Sequence, residues 1–119
     1  MGTIIINGGT PFNGCPTSWE EAKNIEDSLN KGLENEYVKW SFDCGFKLDF
    51  DSPEGIVYVS SRFYPPKEHY GPTWDGTMTF FVKNKKMWEF KFDEKDLTTL
   101  KKKVEKMYFR QLNFIGVKL

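Results

Sequence analysis

The side chains best suited to chemistry are concentrated in residues 60–76, S-S-R-F-Y-P-P-K-E-H-Y-G-P-T-W-D-G. This stretch holds the single histidine, one of two arginines, two tyrosines, a tryptophan and three prolines. Arg, Tyr and Trp dominate binding hot spots because each offers a large, stiff contact area with a polar end. Arg62, Tyr64, His69, Tyr70, Trp74 and Asp75 are therefore the expected binding residues. Prolines stiffen a connection, and rigid loops held by a scaffold are common binding sites. His69 is by type a general base or a metal ligand. It has no Cys or His at ligand spacing, and no Ser-His-Asp order or nucleophile-elbow glycine pattern accompanies it. Asp49, Asp51 and Glu54 surround Ser52-Pro53, a turn composition lacking the ligand number and glycine offset of a calcium loop. No catalytic residue, metal or cofactor is expected.

One spacing supports a different chemistry. Asp75 is followed, on the next expected strand, by Glu89-Phe90-Lys91. An acidic residue and then an acidic-x-Lys pair resembles the PD-(D/E)xK nuclease motif, although Trp74 stands where that motif has Pro. The resemblance implies carboxylates that hold Mg²⁺ and a lysine that assists attack of water on phosphate. It covers residues 75–91 and the general order of a helix followed by strands.

The chain has 119 residues, 17% aromatic, which suits a single domain over 1–119 with a substantial core. Seventeen basic residues balance 17 acidic ones. That excludes a dominant basic footprint for nucleic acid and the acidic surplus of a DNA mimic. The charges are unevenly distributed. Residues 1–60 carry 4 Lys against 10 acidic residues, and residues 61–119 carry 13 basic against 7 acidic, giving −6 and +6. Lys83, Lys85, Lys86 and Lys101 to Lys103 could touch phosphate, but the aromatics near them read as core. The run Thr3-Ile4-Ile5-Ile6 is too short for a signal peptide or membrane span. Cys15 and Cys44 form no disulfide framework. A cytoplasmic protein without membrane contact is expected, and the excess of Lys over Arg suggests a bacterial or phage source.

The elements that must position these residues follow from hydrophobic period. Residues 37–50 alternate strictly, with Trp40, Phe42, Cys44, Phe46, Leu48 and Phe50 on one face. Residues 56–64, 73–82 and 87–92 read as further strands, the first apolar at both parities and so expected to be central or covered on both faces. Keeping both apolar faces together would pair Val82 with Trp88, Phe80 with Phe90 and Met78 with Phe92. Residues 18–31 read as a helix opened by a Ser18…Glu21 capping box, with Trp19, Ala22, Ile25, Leu29 and Leu33 inward. A second helix over 94–110 would be capped by Asp93, with short strands at 3–6 and 114–119. The expected fold is α+β: a two-layer sandwich with an antiparallel four-stranded meander (37–50, 56–64, 73–82, 87–92) and two helices on one face. Trp40, Phe46, Phe80, Trp88 and Phe90 should meet Ile25, Leu29, Leu100 and Val104 in its core.

The function expected is non-enzymatic. A small microbial or phage protein of the toxin-immunity or inhibitor type would bind another protein through the aromatic 60–76 loop and its segregated charges. A module with a small-molecule pocket under that loop, lined by Arg62, Tyr64 and Trp74, fits the same residues. Nucleic acid is not the expected partner. A sheet edge, that of residues 37–50 in particular, offers a route to a homo-oligomer.

Overall fold

A computed structural model of the protein describes residues 19–33, 38–43, 45–66 and 72–117. The order is α1 (Trp19–Asn30), β1 (Ser41–Phe42), β2 (Phe46–Lys47), β3 (Phe50–Asp51), β4 (Val57–Tyr64), β5 (Trp74–Val82), β6 (Lys85–Glu94) and α2 (Leu97–Ile115). The strands form one open antiparallel sheet in the order β1-β2-β4-β5-β6, and β3 also pairs with β4. This is the expected α+β fold, with both helices on one face. The expected strand at 3–6, the Ser18 cap and Cys44 lie outside the described residues.

Alternation explains why only one face is dry. On β4, Val57, Val59, Ser61 and Phe63 are buried, while Tyr58 and Arg62 are exposed and Ser60 and Tyr64 half-buried. Trp74, Met78 and Phe80 of β5 extend that buried face, and Trp88, Phe90 and Phe92 of β6 complete it at half burial. Leu29 of α1 and Leu100, Val104, Tyr108 and Leu112 of α2 cover it. Each fully buried large side chain contributes about 1.5–3 kcal/mol to folding. Of the two expectations for 56–64, central or covered on both faces, the first holds: β4 is central, while Tyr58 on its outer face is 42% exposed and meets Phe81, ring centroids 5.8 Å apart.

The expected long strand at 37–50 is three short pieces. Its parity holds: Trp40, Phe46 and Leu48 are buried. Phe42 pairs with Phe46 in a hairpin, so the chain reverses between them. Beyond it, Phe46↔Phe63 and Phe50↔Val59 share one register along β4, interrupted at Leu48 and Asp49. There side chains replace the ladder. The Leu48 amide donates to Ser61 Oγ at 2.7 Å, and the Ser61 amide donates to Asp49 Oδ1 at 2.8 Å. The Tyr108 hydroxyl of α2 donates to the Asp49 carbonyl at 3.2 Å. Burial, with the Asp49 charge beside it, pushes the Tyr108 phenol well above its usual range.

Trp40 ties the two helices together. Its amide donates to Asn30 Oδ1 at 2.7 Å and its carbonyl accepts from Asn30 Nδ2 at 3.0 Å, so an α1 side chain imitates a strand. Its indole donates to Glu105 Oε2 of α2 at 2.8 Å. Trp19, expected inward, is 58% exposed and meets the Phe42 ring edge-on, ring centroids 6.2 Å apart.

Two boundaries and one register move. Lys83 and Asn84 both take left-handed conformations, φ 51° and 66°, so the β5–β6 turn has two residues of the I′ kind. A bulge at Phe80/Phe81 then slips the ladder by one residue, so that Phe80 faces Trp88 and Met78 faces Phe90, two residues from the expected register. A shift of two preserves both faces, so hydrophobic pattern alone cannot distinguish the registers. Strand β6 continues through Glu94, and Asp96 rather than Asp93 caps α2, accepting from the Thr99 amide at 2.8 Å. This bond holds the Asp96 carboxyl below its usual range. Helix α2 runs on through the expected strand at 114–119 until Gly116, whose φ of 105° closes it.

Candidate functional site

The helix-free face of the sheet carries the candidate site at the end where β4 leads into β5. The 60–76 stretch includes the ends of two strands, as expected. Tyr64 pairs with Asp75, 65–73 connect β4 to β5, and residues 67–71, with His69 and Tyr70, lie outside the described residues. Trp74 points to the other face. It is 7% exposed and packs 5.9 Å from the Phe46 ring, as its shared parity with Met78 and Phe80 requires. Trp74 is thus a core residue, and Arg62, Tyr64 and Asp75 share the open face.

Two rows cross the strands there. Arg62 faces Thr77, which faces Lys91; beside them Tyr64 faces Asp75, which faces Asp93. These six residues line a depression of about 550 Å³ with Pro65 and Thr73 at its rim. Two glycines shape it. A Cβ on Gly45, in the β1–β2 turn, would lie 2.7 Å from Arg62 Cγ and 3.1 Å from Tyr64 Cε1, so its absence seats both side chains. A Cβ on Gly76 would collide with the Arg62 carbonyl and lie 2.7 Å from Phe63 Cα. The Phe63 ring lies across that gap, 5.7 Å from Phe92.

The electrostatics of the depression are unbalanced locally and balanced in sum. Asp75 and Asp93 are like charges directly opposed, an arrangement that costs stability. Desolvation first, and Asp93 second, raise the Asp75 carboxyl above its usual range. Arg62 and Lys91 stand in the neighbouring row. Among the described residues none of these four charges makes an ion pair, although Lys47, Lys86, Lys101 and Lys103 do. Asp93 was not anticipated as a site residue, and Lys91 was singled out only for the nuclease resemblance. Counting outward from the two-residue turn would have set Asp75 against Phe92, because the bulge at Phe80/Phe81 slips the count by one residue.

The Asp75, Glu89 and Lys91 of the nuclease resemblance do not converge. Glu89 faces Thr79, four residues along the strand from Asp75, a span of about 13 Å. Its carboxylate instead lies 3.6 Å from Lys86 Nζ. Among the described residues no group of three or more His, Cys, Asp or Glu is placed to hold a metal ion, and no helix is long and apolar enough to cross a membrane.

The charged helices occupy opposite ends of the strand order. Helix α1, with Glu20, Glu21, Glu26 and Asp27, packs by β1; helix α2, with Lys101 to Lys103, Lys106 and Arg110, packs by β6. A wider depression of about 900 Å³ lies between the β3–β4 turn and the end of α2, with Phe50, Ile56, Val82 and Ile115 in its wall. The Ser52 hydroxyl there accepts from the Ile56 and Val57 amides, so it is committed to the turn. In comparisons with known proteins the chain matches no protein-family model, no curated protein and no solved structure.

Proposed function

We propose that this chain is a non-catalytic binding domain that engages another protein through the open sheet face beside the 65–73 loop. One observation carries the reading: Arg62, Lys91, Asp75 and Asp93 share a depression without pairing among themselves. Charges left unpaired in a recess are available to complementary charges on a partner, where they set encounter rate and register. Tyr64 supplies the amphipathic anchor beside them. Exposed Tyr58 and half-buried Phe81, which meet across β4 and β5, continue the same face with apolar area. The acidic α1 and basic α2 at opposite ends add a dipolar field that orients an approaching partner. Such a surface suits a cytoplasmic immunity or inhibitor protein of a bacterium or phage.

A second reading rests on the size of the recess. A volume of about 550 Å³ with two cations and two anions suits a small zwitterion. Raised melting temperature on adding free amino acids or short peptides would favour it over a protein partner.

The test compares capture by the wild-type protein and by an Arg62→Glu/Lys91→Glu variant from lysates of candidate microbial hosts. A protein recovered by the first and lost by the second supports the proposal. Recovery of no specific protein, or equal recovery by both, overturns it.

A further inference from the structure

Strand β6 ends the sheet, and among the described residues no strand pairs with its outer side. An unpaired strand edge is a template for another strand, and natural proteins usually blunt it with inward charges, bulges or short length. The bulge left by the Phe80/Phe81 register shift disrupts β6 only near Met87. From Trp88 to Phe92 the strand is regular, and its inward residues, Trp88, Phe90 and Phe92, are all aromatic and only half-buried. Apolar surface continues beside it. Phe114 of α2 is 77% exposed and meets Trp88 at 5.8 Å, and Met87 is 51% exposed.

The charges on the outward face select the occupant. β6 carries Glu89 and Lys91 on either side of Phe90. Antiparallel pairing of β6 with itself, centred on Phe90, sets Glu89 against the partner's Lys91 and Lys91 against the partner's Glu89. A shift by two residues either way sets Glu89 against the partner's Glu89, or Lys91 against the partner's Lys91. Like charges directly opposed destabilise a ladder, which disfavours both shifts. A register centred on Phe92 also pairs opposite charges, Lys91 with the partner's Asp93, but it sets Phe90 against the partner's Glu94, so the Phe90-centred register alone matches charges and apolar residues together. That register also spans the bulge-free segment symmetrically, with Trp88 facing the partner's Phe92. We propose that two copies of this chain join β6 edge to β6 edge, centred on Phe90, to form a continuous sheet across a two-fold axis.

This contact is isologous, so a single substitution changes both of its charge pairs at once. Sedimentation equilibrium of the full chain is expected to show a concentration-dependent dimer. Glu89→Lys should weaken it about tenfold or more, because two attractive pairs become repulsive. Adding Lys91→Glu to that variant reverses both pairs and should restore dimerisation. The Lys86–Glu89 pair is lost in both variants, so it cannot account for the recovery. Far-UV circular dichroism checks that each variant is folded. A monomer at all concentrations up to about 1 mM, or a dimer indifferent to Glu89→Lys, overturns the proposal. So does a double variant that is folded yet monomeric, whatever else then covers β6.

Discussion

The Asp49 carboxylate accepts from both the amide and the hydroxyl of Ser61, at 2.8 and 3.1 Å, where two neighbouring strands would otherwise bond backbone to backbone. Ser61 is 4% exposed, and its hydroxyl oxygen in turn accepts from the Leu48 amide. This side-chain bridge divides the strand that begins at Phe46, yet keeps Phe46 and Phe50 in a single register against β4.

Ser61→Ala leaves the Leu48 amide without its acceptor beneath the sheet, and a buried unpaired donor costs about 1–3 kcal/mol. Urea unfolding should show a loss of that size. A change below about 0.5 kcal/mol would mean that the bridge contributes nothing net to stability.

Gly76→Ala tests how closely β4 and β5 approach beneath the recess. The added methyl meets backbone on β4 and cannot be relieved by rotating a side chain. A loss of about 3 kcal/mol or more is expected, at the upper end of overpacking effects. Near-wild-type stability in thermal unfolding would contradict the contact.

Asp75→Asn should stabilise the protein at neutral pH. The folded state raises the Asp75 carboxyl above 3.8, so it binds this proton more tightly than the unfolded chain does. Stability from this group therefore falls as pH rises through the interval between the unfolded and folded values, and the penalty is complete above it. The advantage of Asp75→Asn should be present at pH 7 and vanish below about pH 3.8. Paired melting curves at pH 7 and pH 3.5 read this directly, and an equal or larger gain at pH 3.5 would contradict it.

Much of the architecture was legible because period two survives in the chain. Val57, Val59 and Phe63 alternate, as do Trp88, Phe90 and Phe92, and each set is on the core face. What failed depended on information that alternation does not contain. Residues 37–50 keep their parity through a reversal at Gly45 and a side-chain bridge at Asp49, so pattern alone sees one strand. The β5–β6 register is set by Lys83 and Asn84 taking left-handed conformations together with the bulge at Phe80/Phe81, and two-residue periodicity detects neither. The end of α2 did carry a signal, Gly116, which was outweighed by the apolar residues around it.

The site was legible in composition and less so in geometry. Arg62, Tyr64 and Asp75 alternate on strands that carry them to the open face, whereas Trp74 is one residue out of phase with Asp75 and so enters the core. Asp93 acquires its meaning only from standing opposite Asp75, a long-range pairing.

The central claim is that the open face beside Arg62, rather than the helical face, contacts the partner. Calorimetric titration of the captured partner with Arg62→Glu and with Lys106→Glu, an exposed position on α2, separates the two faces. Affinity should fall about tenfold or more with Arg62→Glu and change within about twofold with Lys106→Glu. The reverse ranking, with Lys106→Glu weakening binding and Arg62→Glu leaving it intact, would place the partner on the helical face and overturn the proposal.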